Sequence, residues 1–425
     1  MVSTDNSPRA RPRPDATLPA RTRVAATLGA AASGVSRRLG WGGGSVIGGR
    51  AILAVDPHAL QRLASGRTIA LVSGTNGKTT TTSLLAAALG GPGAIVTNLL
   101  GANLPPGLAA ALAAGSPEQP AALEVDEAWL AQVVAATRPK TVALLNLSRD
   151  QLDRNNEVRT LAALWRRTFE SHPEVTVVAN ADDPLVAWGA SRAGVVCWVG
   201  AGQPWMDDAG GCPSCGGRID FADVAGAGWT CHDCELRRPD LDVWLDGSTV
   251  VWRDGTSVAP DLQLPGRANR ANAAMALATA GVLGTDRVLA GRSLGSLTEV
   301  AGRYAVVETG GCRARLLLAK NPAGWLEVFD FLRPPPLPVV VAINARIADG
   351  RDPSWLWDVP FERLRGRLVV ATGERSRDLA VRLHYAEVEH AHEPDLARAV
   401  AAARSTDVDV VANYTSFQQL RVRLS

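Results

Sequence analysis

The chain contains few lysines. Of its 44 Lys and Arg residues, three are lysine, namely Lys78, Lys140 and Lys320. Arginine therefore serves wherever a surface cation is needed. A lysine that is kept in such an arginine-rich chain indicates chemistry that needs the compact charge of an ammonium group. The planar guanidinium group of arginine cannot supply it.

The chain also lacks a charge excess and a long apolar run. Its net charge is +2 over 425 residues, which gives no reason to expect nucleic-acid binding. Residues 24–34 are weakly apolar, follow a long tail and run into Arg37-Arg38, so we predict a short helix there and neither a signal peptide nor a membrane span. We expect a cytoplasmic protein that is not integral to the membrane.

Cysteine is scarce but clustered. Four of the six cysteines form two C-x-x-C pairs separated by fifteen residues, Cys212 with Cys215 and Cys231 with Cys234. This spacing places four thiolates around a tetrahedral ion and predicts a closed, structural Zn²⁺ site. Two disulfides are the alternative, which is disfavoured in a large cytosolic chain.

The order of apolar runs predicts an α/β protein, because short β-branched runs alternate with helical stretches twice along the chain. We predict a disordered basic tail at 1–35 and a P-loop ATPase domain with a parallel sheet at 36–284, interrupted by a zinc ribbon near residues 205–240. A linker at 285–302 and a smaller C-terminal α/β domain at 303–425 follow. Two α/β halves predict a ligand cleft between them.

A glycine-rich segment follows the apolar run 68–72 and reads Gly-Thr-Asn-Gly-Lys-Thr-Thr at 74–80. A strand, such a loop and then a helix place backbone N–H groups around phosphates, with the lysine on the β/γ oxygens and a hydroxyl on Mg²⁺. The pattern predicts a nucleotide, ATP. The candidate nucleotide-binding residues here are Gly74, Thr75, Asn76, Gly77, Lys78, Thr79 and Thr80.

Carboxylates follow the next predicted strand, at Glu124, Asp126 and Glu127. An acid at the C-terminal end of a parallel strand beside such a loop can hold Mg²⁺, and we favour Glu124 as this ligand. Acids at a helix N-terminus are the alternative, which suits Asp126 and Glu127. Further along, a predicted strand ends in a turn with the sequence Asn180-Ala181-Asp182-Asp183-Pro184. Asp182 or Asp183 is the predicted N-cap of the helix that follows.

These motifs, in this order, resemble the central ATPase domain of the Mur ligases. The matching segments are residues 74–80, Glu124, Asn146 with Asp150-Gln151-Leu152-Asp153, residues 180–184, and Gly266-x-x-Asn269-x-x-Asn272. In the second half, residues 320–324, 348–358 and 372–385 are similar to the MurT family, the synthase subunits of the MurT/GatD lipid II isoglutaminyl synthases. The similarity covers residues 36–420.

The resemblance implies a function. Mur ligases activate a carboxylate as an acyl phosphate, which implies ATP and Mg²⁺. On this chain residues 74–79 would hold the triphosphate, Thr79 and Glu124 would hold Mg²⁺, and Asn269 and Asn272 would lie near the nucleotide. The MurT resemblance further implies amidation of the D-glutamate α-carboxylate of lipid II to D-isoglutamine, at the inner face of the membrane. The ammonia would come from a GatD-type class I glutamine amidotransferase partner.

The resemblance also names acids in the C-terminal domain. Asp349, Asp352 and Asp358 are the candidates, with Lys78, Asp352 and Asp349 as the predicted catalytic residues and Asp352 as the essential acid. No Cys/His pair outside the zinc knuckles indicates a glutaminase on this chain, so a partner is needed for glutamine.

Two departures from the Mur pattern leave alternatives open. Gln151 stands where Mur ligases carry a histidine, and Val300-Ala301-Gly302-Arg303 replaces a Phe-Gly-Arg element. One alternative function is a Mur-type or folylpolyglutamate-type ligase that adds an amino acid. Another is a zinc-ribbon scaffold with a degenerate ATPase domain.

Overall fold

The computed structural model describes most of the chain. The described residues are 18–38, 45–91, 93–98, 102–149, 158–202, 205–222, 228–264, 266–297, 304–309, 311–346 and 349–424. Among them, no helix combines the length and the apolar character that a membrane-spanning segment needs.

Three helices precede the first strand: α1 (Ala20–Arg38), α2 (Ser45–Val55) and α3 (Ala59–Ala64). Helices α1 and α2 pack through small residues, and a Cβ on Gly48 would lie 2.6 Å from the carbonyl oxygen of Gly29. Helix α1 contains the short helix predicted at 24–34, so the predicted boundary of the disordered tail at residue 35 lies too far along the chain. Residues 1–17 lie outside the described residues.

Five parallel strands alternate with helices from residue 69 to residue 200, as the sequence predicts. These elements are β1 (Ile69–Ser73), α4 (Lys78–Ala88), α5 (Pro105–Ala114), β2 (Ala121–Val125), α6 (Leu130–Thr137), β3 (Thr141–Leu144), α7 (Val158–Ser171), β4 (Thr176–Asn180), α8 (Pro184–Ala190) and β5 (Val195–Gly200). Strands β1, β2 and β3 are buried along their whole length, which suits their mainly apolar content.

An antiparallel hairpin, β6 (Ile219–Phe221) and β7 (Trp229–Cys231), follows β5 and carries part of the zinc ribbon. The chain then returns to the first sheet with β8 (Val243–Asp246), β9 (Thr249–Trp252) and β10 (Ser257–Val258), followed by α9 (Arg267–Val282) and α10 (Arg287–Ser293). Ala290 and Leu294, in the predicted linker, are buried in the same hydrophobic cluster as α4 and α9.

The eight-stranded sheet has the order β10-β9-β8-β5-β4-β3-β1-β2. Strand β2 lies on one side of β1 and β3 lies on the other, so the strand order reverses at β1. Ligands of open parallel sheets bind beyond the carboxyl ends of the strands at such a reversal. The glycine-rich loop leaves β1 at this point.

The second half forms a six-stranded sheet of order β11-β12-β16-β13-β14-β15, in which β11 is antiparallel to β12 and the other pairs are parallel. Its elements are β11 (Tyr304–Thr309), β12 (Cys312–Leu318), α11 (Pro322–Phe329), β13 (Val339–Ala342), β14 (Val369–Thr372), α12 (Ser376–Tyr385), β15 (His390–His392), α13 (Leu396–Ala402), β16 (Asp407–Ala412) and α14 (Tyr414–Leu424). Separate hydrophobic clusters cover its two faces.

Together these features confirm the predicted fold class: an α/β protein with parallel sheets, a four-cysteine insertion in the first half and a second α/β half.

Candidate nucleotide and metal sites

The loop between β1 and α4 depends on two glycines with positive φ. Gly74 has a φ of 144° and Gly77 a φ of 85°, and Gly77 is the N-cap of α4. A Cβ on Gly74 would lie 2.9 Å from Leu145 Cβ, and one on Gly77 would lie 2.5 Å from Asn272 Oδ1. Only glycine allows this conformation and this close packing. The first N–H groups of α4 are thereby turned toward the loop, where an anion binds favourably.

Hydrogen bonds fix the loop against the segment that follows β3. The N–H of Thr75 donates to the carbonyl oxygen of Asn146 (2.9 Å), and the N–H of Asn76 donates to Asn146 Oδ1 (2.9 Å). Thr75 Oγ1 accepts from the N–H of Ser148 (3.0 Å). The glycine-rich loop is therefore held in one conformation by the segment that follows β3.

Lys78 is buried and bonded to three acceptors. Its Nζ donates to the carbonyl oxygens of Gly74 (2.5 Å) and Thr75 (3.3 Å) and to Glu127 Oε2 (3.0 Å). These acceptors match the three donors of an ammonium group. Phosphate oxygens that bind Lys78 must replace at least one of them. Sequence reasoning assigned Glu127 to a helix terminus, so this ion pair is new information.

Glu124 is the next-to-last residue of β2, beside the loop, and pairs in register with Val72 of β1. It is 2% exposed, and its Oε2 has no hydrogen-bond partner among the described residues. A buried carboxylate oxygen without a partner is costly unless a cation or donor satisfies it. Thr79, in the first turn of α4, is half-buried, whereas Thr80 is buried. A Glu carboxylate and a Thr hydroxyl are ligands that suit Mg²⁺, so these residues fit the predicted ion.

The segment after β3 is also held from its other side. The N–H of Leu147 donates to Asp183 Oδ2 (2.8 Å), and the N–H of Arg149 donates to Asp208 Oδ2 (2.8 Å). Asp183 is the N-cap of α8 and accepts from the N–H groups of Leu185 and Val186 as well. Complete burial raises the pKa of Asp183 to about 6, although the three N–H donors oppose this rise.

A cavity that is partly open to solvent lies beside the loop. Asn272 of α9 lines it, while Asn269, one turn earlier on the same helix, does not. Apolar side chains of Trp205 and Met275 form part of the wall, which suits a flat base. The full lining is Asn76, Leu145, Asn146, Ser148, Asn180, Ala201, Gly202, Trp205, Arg267, Ala268, Ala271, Asn272, Met275, Ala323 and Glu327.

The second half of the chain meets the first at this cavity. Asn321, the N-cap of α11, exchanges side-chain hydrogen bonds with Asn76 of the loop, at 3.3 and 3.4 Å. Arg149 Nη2 lies 3.4 Å from Asp358 Oδ2. These contacts place the acidic segment 349–358 on the same side of the molecule as the phosphate-binding loop.

The acids of this segment have different environments. Asp349 is buried, and its carboxylate accepts from the N–H of Thr415 (2.8 Å) and from the Thr415 hydroxyl at the start of α14. Asp352 is half-buried and accepts from the N–H of Ser354 (2.9 Å). Asp358 is exposed. Asp349 therefore fixes a helix start, while Asp352 retains solvent access.

The four predicted zinc ligands converge. The Sγ atoms of Cys212, Cys215, Cys231 and Cys234 all lie within 4.8 Å of one another, with 3.7 Å between Cys212 and Cys234 and 3.5 Å between Cys215 and Cys231. Four sulfurs at 2.3 Å from one zinc would be about 3.8 Å apart. All four cysteines are free thiols. The donor set therefore fits a tetrahedral zinc ion, and the alternative of two disulfides is wrong.

Some predicted residues cannot be placed. Asp150, Gln151, Asp153 and Arg303 lie outside the described residues. Sequence reasoning also missed the contact of Asn321 with the loop. The Asn-Pro pair at the start of a predicted helix was a signal for a cap, but no local pattern shows which distant residue the cap touches.

Two family models match the chain. The model described as Mur ligase middle domain matches residues 72–202, and the model described as MurT ligase C-terminal matches residues 318–417. The two matched regions contain the phosphate-binding loop and the acidic segment.

Relatives that align over most of the chain belong to the same family as these models. The chain is 30% identical to "Lipid II isoglutaminyl synthase (glutamine-hydrolyzing) subunit MurT" of Streptococcus pneumoniae over 415 residues, which cover 90% of this chain and 93% of that protein. It is 28% identical to the subunit of the same name from Staphylococcus aureus, with the same coverage. Among solved structures, a pseudomurein peptide ligase type C from Methanothermus fervidus matches with a TM-score of 0.67 at 17% identity, covering 84% of this chain and 79% of that one. This last likeness shows the fold alone.

Proposed function

Since the chain belongs to the MurT family of Mur ligase-type enzymes, we propose that this ligase amidates the D-glutamate α-carboxylate of lipid II to D-isoglutamine in peptidoglycan synthesis. The observation that carries the proposal is the 30% identity to the pneumococcal MurT subunit over 93% of its length. A glycine-rich loop with its lysine, and beside it a buried Glu124 oxygen that has no hydrogen-bond partner among the described residues, support an ATP-dependent reaction.

The reaction runs in two steps. The γ-phosphoryl group of ATP passes to an oxygen of the acceptor carboxylate, giving ADP and an acyl phosphate. Ammonia then attacks the acyl carbon, phosphate leaves, and the nitrogen loses a proton to give the carboxamide. Each step develops negative charge that cations near the phosphoryl group stabilise.

The residues of the first half have separate tasks in this proposal. The N–H groups of residues 74–80 bind the phosphates, and Lys78 donates to their β/γ oxygens. Thr79 and Glu124 would hold Mg²⁺, which supplies positive charge at the transferring phosphoryl group. Asn272 lies at the wall of the cavity that would take the nucleoside, whereas Asn269 does not line it.

The nitrogen source is proposed to be a separate subunit, a GatD-type class I glutamine amidotransferase. The pneumococcal relative is named as a subunit of a glutamine-hydrolysing enzyme, which supports this assignment. The acceptor is lipid-linked, so the reaction would take place in the cytoplasm at the inner face of the membrane.

Asp352 is our candidate for the essential acid of the C-terminal half. The Asp349 carboxylate is engaged by Thr415, whereas Asp352 is half-buried and belongs to the same segment as the exposed Trp357. Asp352 would take a proton from the attacking nitrogen or orient a histidine of the partner's glutaminase site.

The decisive experiment supplies the purified chain with ATP, Mg²⁺ and lipid II. Ammonium is compared with a panel of amino acids, and the product is identified by mass spectrometry. We expect the carboxamide with ammonium and no peptide product with any amino acid. Amino-acid addition alone would favour the alternative ligase function, and failure to bind ATP would favour a scaffold.

Asp352→Asn separates the two roles of that residue. Loss of glutamine-dependent amidation with retention of the ammonium-dependent reaction would assign Asp352 to the partner's glutaminase. Loss of both activities would assign it to the ligase step. Wild-type rates with both nitrogen sources would refute the assignment.

A further inference from the structure

The zinc ribbon is attached to the wall of the nucleotide cavity. Its hydrophobic side, formed by Cys212, Ile219, Trp229 and Cys231, packs on Ala187 of α8. The indole Nε1 of Trp229 donates to the carbonyl oxygen of Ala181 (2.9 Å), in the turn that follows β4. The ribbon is therefore seated on the segment that connects β4 to α8.

A salt bridge makes the second attachment. Arg238 Nη2 lies 2.6 Å from Asp182 Oδ1, with side-chain exposures of 17% and 12%. The N–H of Arg238 donates to the carbonyl oxygen of Trp229 (2.9 Å), so the arginine belongs to the ribbon's hydrogen-bonded framework. Asp182 belongs to the ATPase sheet.

The same carboxylate holds the cavity wall. Asp182 Oδ2 accepts from the N–H of Gly202 (2.6 Å), and the carbonyl oxygen of Gly202 accepts from Asn180 Nδ2 (3.3 Å). Asn180 and Gly202 both line the cavity. Gly202 has a φ of 79°, and a Cβ there would lie 3.1 Å from Arg267 Nη1, another lining residue. One carboxylate therefore connects the ribbon to two lining residues, to Gly202 directly and to Asn180 through Gly202.

The ribbon's own structure depends on its metal ligands. Its hairpin has two strands of three residues each, which do not form a stable sheet alone. The N–H groups of Gly217 and Asp233 point at Cys215 Sγ and Cys231 Sγ, both at 3.4 Å, as expected for thiolates that hold a cation. Without zinc the hairpin would lose its framework, and Arg238 would lose its fixed position.

We infer that the zinc ribbon positions the wall of the nucleotide cavity through the Arg238–Asp182 ion pair, so that zinc occupancy raises nucleotide affinity. Arg238 is a positioning residue that acts through Asp182 and Gly202. Removing it leaves a largely buried carboxylate without its cation, which a local rearrangement of residues 180–182 and 201–202 would relieve. This inference rests on the proposed function only in taking the cavity as the nucleotide site.

The test measures ADP binding by calorimetry, with zinc content and thermal unfolding determined on each sample. Arg238→Gln removes the ion pair and keeps the zinc ligands, while Arg237→Gln removes an exposed cation from the adjacent position. We expect Arg238→Gln to retain one zinc per chain and weaken ADP binding at least about fivefold, the lower end of couplings between sites. Arg237→Gln should bind ADP as the wild type does.

A metal-removal arm tests the zinc link without substitution. Chelator-treated wild type should bind ADP more weakly than Arg238→Gln does, and added Zn²⁺ should restore the affinity. Wild-type affinity in Arg238→Gln, or zinc-free protein that retains its far-UV spectrum and its ADP affinity, would overturn the inference alone. Absence of ADP binding by the wild type would overturn the proposed function and the inference with it.

Discussion

Loss of the Lys78–Glu127 ion pair should lower the stability of the protein and raise its affinity for nucleotide. The pair is 3.0 Å long, and its side chains are 8% and 10% exposed. At an effective dielectric constant of 20, the attraction at this distance is about 5.5 kcal/mol before desolvation. Removing one partner of a buried pair costs about 3–5 kcal/mol. Because a glutamine oxygen still accepts from Lys78, we expect Glu127→Gln to lower the unfolding free energy by about 3 kcal/mol.

The same change should tighten nucleotide binding. In the wild type, phosphate oxygens compete with Glu127 for Lys78, and the displaced carboxylate stays near the phosphates. Glu127→Gln weakens the competition, since a neutral amide oxygen is a poorer acceptor for an ammonium group than a carboxylate, and it removes the charge repulsion. We therefore expect ADP to bind at least about tenfold more tightly, a gain of about 1.4 kcal/mol. The nucleotide should therefore raise the melting temperature of the variant more than that of the wild type.

Calorimetry and thermal unfolding with and without ADP·Mg²⁺ provide the measurement. Asp126→Asn is the matched control, because it removes a charge at the neighbouring position, where the carboxylate accepts from the nearby N–H of Ala128. Weaker ADP binding by Glu127→Gln, or wild-type stability without nucleotide, would show that the pair does not compete with phosphate.

Three further changes follow from the geometry. Glu124→Gln should lower the amidation rate about 10²–10³-fold without unfolding the protein, as measured by steady-state rates and thermal unfolding. A near-normal rate would show that Glu124 is not a metal ligand. Cys231→Ser should lower zinc below one per chain by elemental analysis and reduce the unfolding free energy by several kcal/mol, whereas full stability with zinc absent would contradict a structural metal. The pKa of Asp183 is raised from 3.8 to about 6, so its stabilising contribution is complete below pH 3.8 and is lost, by about 3 kcal/mol, as the pH rises through 6. Urea unfolding at pH 4 and pH 7 should show that slope in the wild type and not in Asp183→Asn.

The sequence predicted the features that depend on neighbours along the chain. The run 68–80 contains a strand, the two glycines and the helix start, and the structure places α4 at Lys78, directly after Gly77. The four cysteines converge because their spacing alone nearly determines the ligand geometry. The predicted cap at Asp183 is confirmed for the same reason, since it bonds to N–H groups two and three residues ahead.

Contacts between residues that are far apart in the sequence could not be predicted. Glu127 lies 49 residues from Lys78, and Asn321 lies 245 residues from Asn76. An acid at a helix start and an Asn before Pro each have a common local explanation, and nothing in their spacing identifies a distant partner. Likewise, the pattern could not rank Asp349 against Asp352, because their difference arises from Thr415 at the start of α14.

One strand begins later in the structure than its sequence pattern indicates, because of a turn at the end of α12. The run 386–389 predicts a strand, but the structure has β15 at His390–His392. Glu387 has a φ of 56°, and the N–H of Val388 donates to the carbonyl oxygen of Leu383, so these residues end α12 as a turn. A β-branched residue that packs into the core after a helix is easily read as the start of a strand.

Two polar contacts between the halves of the molecule respond differently to ionic strength. The Asn76–Asn321 pair joins neutral amides, one of which is fully buried. The Arg149–Asp358 pair joins ions that are 43% and 39% exposed, and added salt screens such a pair. The amide contact involves the phosphate-binding loop itself, and it does not depend on ionic strength. Closure of the halves over a nucleotide would therefore tolerate changes in cellular salt, while the salt-sensitive pair adjusts how firmly the acidic segment is held.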